Sequence, residues 1–196
     1  MGNVMIDTLV QHLAKAQARP IVSRMGLEVA GYALVTLHRP SNVDDPGDLR
    51  EILEGLRQIG STLSVVFPVH PRTRQNLDEG MLSALSGRVT LLDPLGYLDF
   101  IALLDSARLV ITDSGGLQEE STYLGVPCLT VRPNTERPIT IACGTNRLVP
   151  RGHDELVAAA RGAAEESRAT RAIPELWDGA TAPRVVRSIA ARASPQ

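Results

Sequence analysis

Short apolar runs of four or five residues alternate along this chain with longer stretches in which apolar positions recur every three or four residues. A period that switches repeatedly between strand-like and helix-like is the pattern of a parallel sheet wrapped by helices. Ala33 to Leu37 predicts the first buried strand. Asp45 then caps a helix that begins at Pro46, carries Leu49, Ile52, Leu53, Leu56 and Ile59 as its apolar stripe, and stops at Gly60. Leu63 to Val69 predicts the second strand, Arg72 to Leu85 a polar helix, and Val89 to Leu92 the third strand. Leu98, Ile101, Ala102 and Leu104 mark a helix over Tyr97 to Ser106, Leu109 to Thr112 a fourth strand, and Leu117 to Leu124 a helix ended by Gly125 and Pro127. Cys128 to Val131 is the fifth strand. A short helix near Pro138, a short strand from Arg147 to Val149 and an amphipathic helix from Asp154 to about Arg168 follow. Ahead of all these, Val4 to Ala16 predicts a leading helix packed through Met5, Leu9 and Leu13.

Ligands of an open parallel α/β sheet bind beyond the carboxyl ends of its strands, where loops and helix N-termini converge. The first strand is followed by His38-Arg39-Pro40-Ser41-Asn42, the second by His70-Pro71-Arg72, the third by Asp93-Pro94, the fourth by Thr112-Asp113-Ser114-Gly115-Gly116 and the fifth by Arg132. Polar chemistry therefore collects on one edge. Ser114-Gly115-Gly116 joins a strand to a helix through residues with little or no side chain. Such a turn suits a diphosphate, because the backbone approaches closely and the first helical amides lack intrahelical acceptors. The alternative is an ordinary turn with Ser114 as N-cap. Glu119 and Glu120 lie just beyond, placed to compensate the helix dipole or to accept hydrogen bonds from ribose hydroxyls. His38 suits either a cationic donor to phosphate or a proton shuttle, with a plain loop residue as the bland alternative. Arg39, Arg72, Arg132 and Arg137 bring fixed positive charge toward the same edge.

Composition narrows the partners. The net charge of −2 with interspersed signs and the 3% aromatic content point away from nucleic acid and from anionic membranes. No apolar run reaches the length of a membrane span, and the N-terminus has no signal-peptide series, so a cytoplasmic protein is expected. Cys128 and Cys143 are far apart with no CxxC spacing, so both read as small buried hydrophobes rather than metal ligands. Walker A and GxGxxG patterns are absent. A length of 196 residues suits one large domain with appendages.

Taken together, Gly2-Asn3-Val4-Met5-Ile6-Asp7, His38-Arg39-Pro40-Ser41-Asn42, Pro68-Val69-His70-Pro71, Asp113-Ser114-Gly115-Gly116-Leu117-Gln118-Glu119-Glu120 and Thr135-Glu136-Arg137-Pro138 resemble the non-hydrolysing UDP-N-acetylglucosamine 2-epimerase family, from Gly2 to about Ala190. The resemblance implies a Rossmann-like parallel sheet flanked by helices, equivalent to the C-terminal domain of a two-domain GT-B fold. It divides the chain into a linking helix over 1–20, a UDP-sugar-binding domain over 21–175, and a closing helix with tail over 176–196. It implies the diphosphate turn at Ser114, Gly115 and Gly116, a ribose-binding acid at Glu120, an aromatic beside the uracil at Phe100, a catalytic histidine at His38 and a cleft arginine at Arg137, with Arg39 and His70 as further candidates. Ser41 stands where some bacterial members have an acid that helps bind a second UDP-GlcNAc as activator. No metal or organic cofactor is implied, and full-length members are expected to be homodimers.

The same resemblance implies that UDP-GlcNAc and UDP-ManNAc are interconverted by elimination and re-addition of UDP through 2-acetamidoglucal. The carboxylates for proton transfer are expected on a first half that this chain lacks, so the chain alone is expected to bind but not turn over. A GT-B glycosyltransferase donor domain and a non-catalytic nucleotide-sugar sensor are the rival readings.

Overall fold

A computed structural model describes residues 1–166 and 173–193. The elements run α1 (Val4–Gln17), α2 (Ile21–Arg24), β1 (Tyr32–Thr36), α3 (Pro40–Val43), α4 (Pro46–Ile59), β2 (Ser64–Pro68), α5 (Pro71–Gln75), α6 (Glu79–Leu85), β3 (Val89–Leu92), α7 (Tyr97–Ser106), β4 (Leu109–Thr112), α8 (Gly115–Leu124), β5 (Cys128–Val131), α9 (Pro138–Ala142), β6 (Asn146–Val149), α10 (His153–Glu165) and α11 (Thr181–Ala193). The strands form one sheet in the order β3-β2-β1-β4-β5-β6, every pair parallel. This is a doubly wound order whose direction of winding reverses between β1 and β4. All carboxyl ends accordingly lie on one edge.

Successive strand residues face opposite sides, so each strand feeds two cores. Ala33, Val35, Val65, Phe67, Leu109 and Ile111 pack on one side with the apolar stripe of α4 and with Leu156, Val157 and Ala160 of α10. Tyr32, Leu34, Val66 and Val110 pack on the other with Ile6 and Leu9 of α1, Ile101 and Leu104 of α7, Leu117 and Leu124 of α8, and Trp177. The α4 stripe forms as the sequence predicts: the Asp45 carboxylate accepts from the amides of Gly47 and Asp48, Pro46 opens the helix, and Gly60 ends it. Gly125, at φ 70°, closes α8 in the left-handed conformation that favours glycine.

Three local expectations change. The single helix over Arg72 to Leu85 is two helices, because Asn76 ends α5 and Asp78 caps α6 by accepting from the Met81 amide. Asn76 donates instead to the Val43 carbonyl, so a tertiary contact holds the break. The leading helix buries Ile6, Leu9 and Ala16, while Met5 is exposed and Leu13 half-buried. Its packing face is thus rotated from the expected one. Cys128 is buried but Cys143 is exposed, because the short α9 leaves it on the outer surface. The expected end of the α10 helix at Arg168 lies outside the described residues. The first turn of α11 is tied to α1, where Asp7 accepts from the amides of Thr181 and Ala182 at 3.0 and 2.7 Å. Among the described residues no helix is long and apolar enough to cross a membrane.

Candidate functional site

The winding reversal sets the end of β1 beside the end of β4, and the loops that follow them meet. Asp113, at 0% exposure, is the centre of this meeting. Its carboxylate accepts from the backbone amides of His38 and Arg39 and from the Asn42 side chain, and it lies 2.9 Å from His38 Nδ1. Burial by itself would raise its pKa. The hydrogen bonds from the His38 ring and the two amides outweigh burial and hold the carboxyl below its ordinary value. Asn42 also donates to the Val131 carbonyl, extending the lock to β5. The His38 ring is left with Nδ1 on the carboxylate and a partly exposed outer edge.

Ser114 stands at the N-cap of α8, yet its side chain caps nothing. The first amides of this ten-residue helix, those of Gly115 and Gly116, are therefore without a capping side chain, while the Ser114 amide donates to Thr112 Oγ1 at 3.0 Å. A Cβ on Gly115 would meet nothing within 4 Å, whereas one on Gly116 would meet the Met5 methyl at 3.3 Å. The exposed Met5 that broke the predicted α1 face thus lines this turn.

Glu119 and Glu120 are both buried but held differently. Glu120 accepts from the Tyr97 hydroxyl at 3.0 Å. Burial pushes its pKa up to about 7; the Tyr97 hydrogen bond opposes this and the neighbouring Glu119 adds to it. Tyr97 is itself pushed up, by burial first and then by the Glu120 charge. Glu119 is also raised by burial, against the pull of Arg137, whose Nε stands 2.8 Å away. A buried glutamate whose folded pKa exceeds its ordinary 4.5 costs stability as pH rises toward 7 and keeps costing it above. Glu120→Gln should therefore be more stable than wild type at pH 8 by about 1–3 kcal/mol and indistinguishable near pH 4. Urea unfolding at the two pH values checks this, and an equal gap at both would refute it.

The remaining candidates divide. His70 caps α5, accepting from the Arg72 amide, and its ring centroid is 5.4 Å from that of His38. Phe100 is half-buried against the core that α1, α7 and α8 share. The arginines are committed rather than free: Arg39 donates to the Asp113 carbonyl and approaches Glu136 at 3.5 Å, Arg72 pairs with Asp44, Arg132 with Glu136 and Arg137 with Glu119. The Arg132 pairing pulls the exposed Glu136 carboxyl down to about 2. Sequence reasoning missed the roles of Asp113, Asn42 and Tyr97 as holders of His38 and Glu120. Asp113 was visible as the acid ending a buried strand; Tyr97 left no signal, since its partner lies 23 residues away.

A doubly wound sheet with an uncapped Gly-Gly helix terminus at its winding reversal places the chain among the Rossmann-like α/β domains. Comparison narrows the class. A family model described as UDP-N-acetylglucosamine 2-epimerase matches residues 1–190, and the chain belongs to that family. It is 38% identical over 167 residues to the UDP-N-acetylglucosamine 2-epimerase of Methanocaldococcus jannaschii, covering 81% of this chain and 46% of the relative. It is 41% identical over 163 residues to the UDP-2,3-diacetamido-2,3-dideoxy-D-glucuronate 2-epimerase of Pseudomonas aeruginosa, covering 82% of this chain and 44% of the relative. The crystal structure of the Methanocaldococcus jannaschii enzyme in complex with UDP-GlcNAc and UDP superposes with a TM-score of 0.83 at 34% identity, over 95% of this chain and 54% of that one. The domain is thus of the GT-B type, and the chain spans about half the length of the relatives it matches.

Proposed function

We propose that this chain is the UDP-binding half of a UDP-sugar 2-epimerase. The observation that carries the reading is the convergence, at the β1/β4 reversal, of the uncapped α8 terminus with His38 and the buried Glu120. In this reading the turn Ser114 to Gly116 holds the diphosphate through the amides of Gly115 and Gly116, the Ser114 amide being taken by Thr112 Oγ1, with His38 beside it; Glu120 accepts from the ribose, Phe100 lies by the uracil, and Arg137 lines the sugar cleft. Residues 1–20 act as the link to a first domain and 176–196 as the closing segment.

The chemistry follows from the leaving group. The proton on sugar carbon 2 is not next to a carbonyl, so it becomes acidic only as the bond from carbon 1 to the diphosphate oxygen weakens. Helix-terminal amides and His38 at the diphosphate stabilise the charge that develops there, which selectively lowers the barrier. UDP-GlcNAc and UDP-ManNAc then interconvert by loss of UDP and its return after protonation from the other face. The acid and base for carbon 2 belong, in this proposal, to the half that the longer relatives possess. The diacetamido-glucuronate relative indicates that ring substituents vary on this scaffold, and UDP-HexNAc sugars are the proposed class.

Calorimetric titration with UDP tests the binding. Metal is not needed when helix amides meet the phosphates, so affinity should survive EDTA. Gly115→Val places a branched side chain in open space above the turn; the variant should fold and bind UDP at least about tenfold more weakly, or 1.4 kcal/mol. Unchanged affinity in the folded variant would refute the cradle. Sugar transfer to an acceptor by the full-length enzyme would instead favour the glycosyltransferase reading.

A further inference from the structure

Asp113 is more than a structural anchor. Its carboxylate is buried and meets His38 at both the amide and the ring, while Asn42 and the Arg39 amide hold it from the other side. A carboxylate accepts and cannot donate, so the ring nitrogen facing it, Nδ1, carries a proton. Neutral His38 then presents the bare lone pair of Nε2 outward, and an acceptor facing a diphosphate is repelled by it. A second proton, on Nε2, turns the same ring into a charged donor, with Asp113 stabilising the cation.

We propose that Asp113 is a positioning residue that fixes His38 with its proton on Nδ1, so that Nε2 faces the ligand and a nucleoside diphosphate binds with uptake of one proton from solvent onto that atom. The uptake rests on the diphosphate reading of this edge; the ring tautomer does not. The titratable and charged neighbours are Asp113 beneath the ring, His70 at the start of α5, Arg39 and Glu136 alongside, and Arg132 at the end of β5, whose charge acts on the Asp113 carboxylate. Of these, only Asp113 is hydrogen-bonded to the His38 ring.

Two measurements test it. Long-range proton–nitrogen correlation on the ¹⁵N-labelled chain without ligand, at pH 8, reads the tautomer, with His38→Gln assigning the signals. The proposal expects Nδ1–H in wild type and a shift toward Nε2–H in Asp113→Asn, whose neutral amide no longer selects the Nδ1 proton. A wild-type ring protonated on Nε2, or a folded Asp113→Asn with an unchanged ring, overturns it; if the variant does not fold, the wild-type ring decides. Titration with UDP-GlcNAc, whose doubly esterified diphosphate does not titrate near neutrality, is then run at pH 8 in two buffers of different ionisation heat. Uptake approaching one proton per nucleotide, lost in His38→Gln, with affinity falling about tenfold per pH unit, supports the proposal. Binding without a buffer-dependent difference overturns the uptake. A chain that binds no nucleotide overturns the diphosphate reading and the uptake with it, while the tautomer still judges Asp113.

Discussion

Incubated with UDP-GlcNAc in deuterated water, the chain as it stands should exchange no detectable proton at sugar carbon 2, and should regain exchange when joined to a matching first half. In a two-domain cleft, closure brings the acid and base of one half to the sugar whose diphosphate the other half holds. Under the proposed division of labour, a chain without the first half lacks the proton-transfer groups, worth about 10²–10⁴ in rate, and also their positioning, worth still more. Binding, by contrast, is assigned by the proposed function to the α8 terminus and Glu120, which this chain carries. Proton NMR of the sugar ring measures the exchange. Robust exchange by the isolated chain would refute the division of labour, and a folded but inactive joined protein that still binds UDP would favour a sensor.

The largest effect on stability is expected at Asp113. Asp113→Ala removes the acceptor of two backbone amides, the Asn42 side chain and the His38 ring at once, stranding donors in a buried site. Breaking one side of such a buried polar cluster costs about 3–5 kcal/mol, a large part of the roughly 5–15 kcal/mol that holds a domain together. The pH dependence gives a further signature. The folded pKa lies below the ordinary 3.8, so the stabilisation is complete above 3.8 and is lost as pH falls through the folded value. The variant should therefore fall far below wild type at pH 7, and the gap should narrow in strong acid. Urea unfolding from pH 7 down to pH 3 measures this; a loss under 1 kcal/mol at pH 7 would show that the cluster is not the lock described.

Much of the scaffold was determined by the sequence alone, for local reasons. The Asp45-Pro46 start, the stripe from Leu49 to Ile59 and the stop at Gly60 act within a few residues of one another, and α4 forms where they place it. Short apolar runs between turn residues likewise located β1 to β5, and a repeated strand–helix order implies parallel pairing, which puts every strand's end on the same edge. That is why the sequence alone gathers His38, Ser114, Gly115 and Gly116 into one candidate site.

What only tertiary structure decided is who holds whom. The sheet order set β1 next to β4 and joined His38 to Asp113 across 75 residues, a pairing with no sequence period because it depends on winding direction. It directed all four candidate arginines to partners, broke the Arg72 to Leu85 segment through an Asn76 contact with Val43, and turned α1 so that Met5 faces the glycine turn while Ile6 fills the core. Helical spacing defines an apolar face only to within a residue or so, and the neighbours choose the rest. The elevated Glu120 pKa has the same origin: burial beside Tyr97 is a property of the packed site, and a glutamate in a sequence shows only its charge.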